Sequence, residues 1–285
     1  MNPTRSAQLS SITFALGLGS LGAVSAMDSE QVFGPNDVRF SNALESKQYD
    51  RGVIRVDDVV DHAAFAARYY GIGVKLDGWM ALGQDKQSGA DTVSPGEITG
   101  FKARADYLLQ IDYQKGMPLA QILPHFEVVT YPDQGTSLVK NHQRWLGVDG
   151  WVNPPFVGFQ GIWFGGNMEW NVSDQWLAFT GSFGARELIQ YAPYDFQLFQ
   201  LVNFGNAAYN RQFGGLDDSG AATIEIGGKI TYPLIAQEWW SFVKVYGYYW
   251  LDSRQRDLNK KSSVDSGGIV MSVGVEWVID KKRLR

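Results

Sequence analysis

Three things are missing from this 285-residue chain: cysteine, any excess of basic residues, and any apolar run in its body long enough for a membrane helix. A spanning helix needs about 20 consecutive apolar residues, so the last absence excludes a helical membrane protein. A net charge of −5 leaves no basic footprint, and no nucleic-acid partner is expected. Without cysteine, wrong disulfide pairing cannot occur in a chain exported unfolded into an oxidising compartment. Histidine is scarce as well. His62, His125 and His142 have neither metal-ligand spacing nor a serine motif beside them, so no metal, cofactor or catalytic residue is expected and the chain reads as a non-enzyme. Asp217 and Asp218 lack the ligand pattern of a calcium loop. Gly17, Gly19 and Gly22 match the spacing of a dinucleotide fingerprint, but no strand precedes them.

What is abundant is aromatic and glycine: 14% Phe, Trp and Tyr and 32 Gly, at a mean hydropathy of only −0.19. The pattern behind this is clearest from Phe101 to Gln114. Phe101, Ala103, Ala105, Tyr107, Leu109, Ile111 and Tyr113 alternate with Lys102, Arg104, Asp106, Gln110, Asp112 and Gln114, with Leu108 the one exception. A period of two belongs to a strand with one apolar and one charged face. The length suits a strand crossing a bilayer, which needs about 9–11 tilted residues.

Residues 1–26 read as a secretory signal peptide, with Arg5 at the start, a short apolar core over 12–24, and small residues at Val24-Ser25-Ala26. Residues 27–68 read as a periplasmic lead-in or plug, and the stretch from Asp58 to Arg68 has a helical look. Alternation then runs through 69–82, 101–114, 120–131, 159–171, 175–186, 222–232, 239–251 and the last strand, which ends at Asp280. Residues 69–280 are therefore expected to be the barrel, and 281–285 a basic tail.

Eight strands result, an all-β, transmembrane, antiparallel up-and-down barrel, with ten to twelve as the wider alternative. Short turns at 115–119, 172–174 and 233–237 alternate with long loops at 83–100, 132–158, 187–220 and 252–266. Short periplasmic turns and long outer loops are the asymmetry of outer-membrane barrels. Tyr113, Trp170, Tyr232, Trp239 and Trp277 lie on apolar faces near short turns or the chain end, and are expected to form one aromatic girdle at the membrane interface. Ser272, Gly274, Trp277 and Ile279 resemble the β-signal read by barrel-assembly machinery, and on these residues the chain resembles the bacterial outer-membrane β-barrel superfamily. The resemblance implies the outer membrane as location, with its lipids, and the assembly machinery during biogenesis, as partners.

The inward faces are expected to carry Lys102, Arg104, Asp106, Asp112, Glu127, Glu169, Arg186, Glu225, Lys229, Lys244 and Glu276, with Lys75 and Asp77. An eight-stranded barrel is only wide enough for side chains to fill. Such charges must then pair, because a buried ion alone carries a heavy desolvation penalty. Within the loop 187–220, Tyr191, Tyr194, Phe196, Phe199, Tyr209 and Arg211 are the candidate binding site, suited to ring-bearing solutes at the barrel mouth. The function expected is porin-like passage of small solutes. A plugged barrel displaying its loops and a lipid-modifying barrel enzyme are the alternatives.

Overall fold

The computed structural model describes residues 37–50, 53–83, 95–113, 117–131, 142–154, 162–173, 178–191, 193–214, 220–234, 238–253, 256 and 266–280. The expected signal peptide, the basic tail and the side chains of Asp112, Tyr113 and Arg211 lie outside the described residues. The strands are β1 (Asp37–Glu45), β2 (Gln48–Asp50), β3 (Val53–Val56), β4 (Val60–Tyr69), β5 (Ile72–Ala81), β6 (Ile98–Tyr107), β7 (Leu109–Tyr113) and β8 (Met117–Thr130). They continue as β9 (His142–Val152), β10 (Ile162–Asn171), β11 (Phe179–Tyr191), β12 (Tyr194–Gly205), β13 (Gly220–Pro233), β14 (Trp239–Trp250) and β15 (Gly267–Asp280), with one described helix, α1 (Ala207–Gly214).

Twelve antiparallel strands close into a ring. The order runs β6-β5-β4-β1-β15-β14-β13-β12-β11-β10-β9-β8, and β8 pairs with β6 to complete the circle. β7 continues β6 past a break at Leu108 and pairs only with β8. The hairpin β2–β3 stands apart from the ring. Closure leaves no edge among these twelve strands, while β7 is paired on one side only.

The expectation of eight strands is therefore corrected to twelve. Residues 37–45 and 60–68, read as part of a lead-in with a helical stretch, belong to wall strands β1 and β4. Residues 142–152, read as loop, form β9. The supposed loop 187–220 supplies the end of β11, all of β12, and α1. On β4, β9 and β12 apolar residues stand on both faces, which breaks the alternation that marks the other strands. β4 places Ala64 and Ala66 inward and Ala63 and Ala67 on the other face, and alanine is the best helix former when nothing opposes it.

Asp37 pairs with Asp280, so both ends of the ring's chain lie at one rim. That rim carries the connections 70–71, 114–116, 153–161, 192–193 and 234–238, whereas the other carries 46–59, 82–97, 131–141, 172–178, 206–219 and 251–266. The short-turn and long-loop asymmetry survives the change in strand number. The turn at 172, however, sits at the long-loop rim, where Asn171 is fully buried and its Oδ1 accepts from the Ser173 N–H at 2.9 Å.

Candidate functional site

Along β5, the residues Ile72, Val74 and Leu76 are exposed while Gly73, Lys75 and Asp77 are buried. β13, β14 and β15 repeat the pattern: Ile226, Ile230, Val243, Val245, Met271 and Val273 are exposed, and Glu225, Lys229, Lys244, Ser272 and Glu276 are buried. Large apolar side chains on the exposed face and charges on the buried one invert the arrangement of a water-soluble protein. The architecture is that of a membrane-spanning β-barrel.

The buried face is the candidate site, and it has two sides. Over β4 to β10, cations meet carboxylates. Arg68 Nη2 lies 2.6 Å from Asp106 Oδ1 and Arg104 Nε lies 3.6 Å from Asp106 Oδ2. Arg104 also donates to Asp149. The chain of contacts continues through His125, whose Nδ1 is 3.8 Å from Asp149 and whose Nε2 is 3.1 Å from Glu169. Lys102 faces Glu127 at 3.8 Å. Toward the long-loop rim, His62 sits 3.1 Å from both Glu45 and Asp77, stacked on Trp79 at 4.5 Å, and Lys75 reaches Asp77 at 3.0 Å. Glycine makes room for this packing. A Cβ at Gly73 would stand 2.5 Å from Asp106 Oδ1, and one at Gly147 the same distance from His125 Nε2.

From β11 to β15 the cations lie over rings. The Arg186 guanidinium is 4.3 Å from the Trp151 ring and 5.4 Å from that of Trp163. Lys229 Nζ is 4.2 Å from the Phe242 ring and Lys244 Nζ 5.2 Å from that of Tyr246. Away from water, such an arrangement contributes on the order of 2 kcal/mol. Lys229 also donates to Glu276 at 3.1 Å. Asn203 donates to Thr223 and Glu225 at 2.5 and 3.1 Å.

Two segments enter the space these walls enclose. Gln48 and Tyr49 of the β2–β3 hairpin are buried, with Thr99 of β6 donating to Gln48 at 2.7 Å and the Tyr49 ring packed on Tyr246 and Tyr248 of β14. Helix α1 starts at Asn206, whose Oδ1 accepts from the Tyr209 N–H at 2.9 Å as an N-cap. It carries buried Tyr209 against Trp145, Val129 and Tyr131.

Of the expected inward residues, Lys102, Glu127, Glu169, Arg186, Glu225, Lys229, Lys244 and Glu276 are buried, and Arg104 and Asp106 partly so. Arg211 aside, the candidates of the supposed loop are not gathered into one site. Phe199 faces inward and Tyr209, on α1, packs against Trp145; Tyr191 and Tyr194 are exposed at the short-turn rim, and Phe196, partly buried, is 6.1 Å from Tyr194. The single girdle also divides. Trp239 and Trp277 are adjacent at 6.2 Å, and Tyr232 packs on Tyr194 at 5.2 Å, all near the short-turn rim. Trp170 ends β10 at the long-loop rim, 5.1 Å from Phe179. Tyr49, Trp151, Trp163, Tyr246 and Tyr248 were not anticipated as inward residues. The available signal was Trp145, Gly147, Asp149 and Trp151 at alternate positions in a stretch that kept no charge pattern.

No protein-family model matches the chain. No curated protein matches it either. Solved structures that align with it include outer-membrane proteins. The outer membrane channel DcaP of Acinetobacter baumannii aligns over 86% of this chain and 96% of its own, with 7% identity and a TM-score of 0.36. The outer membrane protein OprD from Pseudomonas aeruginosa aligns over 86% and 93%, with 8% identity and a TM-score of 0.34. The outer membrane protease OmpT from Escherichia coli aligns over 87% and 98%, with 10% identity and a TM-score of 0.27. Likeness at this level adds nothing to what the barrel's own geometry says.

Proposed function

We propose that this protein resides in the bacterial outer membrane and lets small solutes pass through its interior, without catalysing a reaction. One observation carries the reading: twelve strands close around a charged inner face. Eight strands enclose just enough room for their own side chains, and sixteen or more an aqueous channel. Twelve stand between, and here the additional width holds a hairpin and a helix from the same chain. Segments that fill a lumen from one mouth can yield to solute more readily than wall strands, whose ladder bonds hold the ring. Conductance is therefore expected to be small and interrupted.

A plugged barrel without passage is favoured by a different observation, the near-complete burial of Gln48 and Tyr209. Single-channel recording on purified, heat-modifiable protein in planar bilayers separates the two. Discrete openings support passage. A silent bilayer containing assembled barrels would overturn it in favour of the plug.

A further inference from the structure

The β2–β3 hairpin places one side chain in a pocket built for a ring. Tyr49 is 6% exposed. Its ring centroid lies 5.0 Å from that of Tyr248 and 5.8 Å, edge-on, from that of Tyr246, in one buried cluster with Phe199 and Trp151. Its polar end lies beside Glu225 and Thr223 of β13, and burial, reinforced by the Glu225 charge, pushes the phenol up so that it stays a neutral donor. β13 and β14 are neighbours in the wall, so the ring-binding and polar sides of the pocket lie on paired strands.

The fit is incomplete. Among the described residues, Trp151 Nε1, in the same cluster, is buried without a hydrogen-bond partner, a donor that the Tyr49 side chain leaves unused. The hairpin itself is attached at its base. Lys47 pairs with Asp57, and Ser46 exchanges two bonds with Met271 of β15, at 2.8 and 2.9 Å. Tyr49 can therefore leave its pocket while the base of the hairpin stays docked.

We propose that the Tyr49 pocket is a binding site for small hydroxylated aromatic solutes, and that Tyr49 occupies it as a tethered stand-in until a solute displaces the hairpin. Aromatic walls from Tyr246, Tyr248 and Phe199 take the ring. Glu225 accepts from the solute hydroxyl, and the Trp151 indole N–H offers a second bond that Tyr49 does not use. The gating consequence rests on the passage reading above; the binding does not.

The test is binding of p-cresol, the Tyr side chain as a free molecule, to detergent-solubilised barrel, followed by calorimetry and Trp fluorescence. If Tyr49 fills the pocket most of the time, wild-type affinity is reduced by the fraction of time the pocket is open, so Tyr49→Ala is expected to bind p-cresol about tenfold more tightly or better. Toluene, which lacks the hydroxyl, and cyclohexanol, which lacks the aromatic ring, should both bind Tyr49→Ala more weakly than p-cresol. Equal p-cresol affinity for wild type and Tyr49→Ala overturns the proposal, and so does preference for toluene. A second variant, with residues 48–56 replaced by a Gly-Ser linker, should behave as Tyr49→Ala does. Failure of both variants to give a heat-modifiable barrel also overturns it, since the hairpin would then be part of the folding core. Binding with no conductance leaves this site standing and removes the passage reading; conductance without binding does the reverse.

Discussion

The two sides of the inner wall hold buried cations in different ways. On β4 to β10, Arg68, Arg104, Lys75 and Lys102 face carboxylates. On β11 to β15, Arg186, Lys229 and Lys244 lie over Trp, Phe and Tyr rings. A carboxylate cancels charge but is itself costly to bury, so each member of the first network depends on the others. A ring gives less per contact and carries no charge, so its loss leaves no carboxylate stranded. The charged side should therefore be brittle and the aromatic side forgiving.

The largest expected effect follows from removing one member of the network. Arg104→Ala leaves Asp106 and Asp149 without the guanidinium that joins them. Breaking a buried pair costs about 3–5 kcal/mol. The urea midpoint of refolding in detergent should fall accordingly, and the double variant Arg104→Ala/Asp149→Ala should recover part of the loss. A double variant no better than the single would show that this network is wet, and that the contrast between the two sides is overstated.

A second prediction sets the limit of the comparison. Leu76, mid-strand on β5, lies behind the charged side, and Ile226, mid-strand on β13, behind the aromatic side; both side chains are exposed. Arginine at bilayer mid-depth costs about 2–4 kcal/mol. Leu76→Arg and Ile226→Arg should lose similar stability in lipid vesicles, because lipid does not sense which inner wall stands behind. Loss at only one of them would mean that the barrel does not sit level in the membrane.

The same contrast decides what the sequence could reveal. β5, β6, β13, β14 and β15 carry charges inward and apolar residues outward, and their period of two is plain in the letters. β12 is different. Its inner face holds Phe199 and Leu201 between Gln197 and Asn203, and its outer face holds Phe196, Leu198 and Phe204. With apolar residues on both faces, the period disappears and the segment reads as an aromatic loop. β9 fails for the same reason, with Trp145 and Trp151 inward and Leu146 and Val152 outward. Charged inner residues were thus legible, because charge stands out against lipid-facing neighbours. The aromatic inner wall was not, because nothing local tells a ring facing a lumen from one facing lipid.

On the aromatic side, Phe242→Leu keeps apolar bulk but removes the ring under Lys229, while the Lys229–Glu276 contact at 3.1 Å remains. The expected loss is about 2 kcal/mol or less, with the barrel assembled. A loss as large as that of Arg104→Ala, measured in the same refolding titration, would erase the distinction between ring-held and carboxylate-held cations.

The smallest effect concerns the hairpin that touches both sides. Gln48 reaches the charged side at β6 and Tyr49 the aromatic side at β14, five strands away around a ring of twelve in the order β6-β5-β4-β1-β15-β14. Gly100 admits Gln48: a Cβ there would stand 2.7 Å from Gln48 Nε2 and 3.3 Å from the Trp79 ring. The amide is the flexible end of its side chain, so Gly100→Ala should move it rather than break the wall. What is lost is the Thr99–Gln48 hydrogen bond, about 0.5–1.5 kcal/mol. Global unfolding should scarcely change, while amide exchange in 47–57 quickens and that in β13 and β14 stays slow. Unchanged exchange in the hairpin would mean that its base and the Tyr49 ring hold it without the Thr99–Gln48 bond, and that the charged side has no part in closing the lumen.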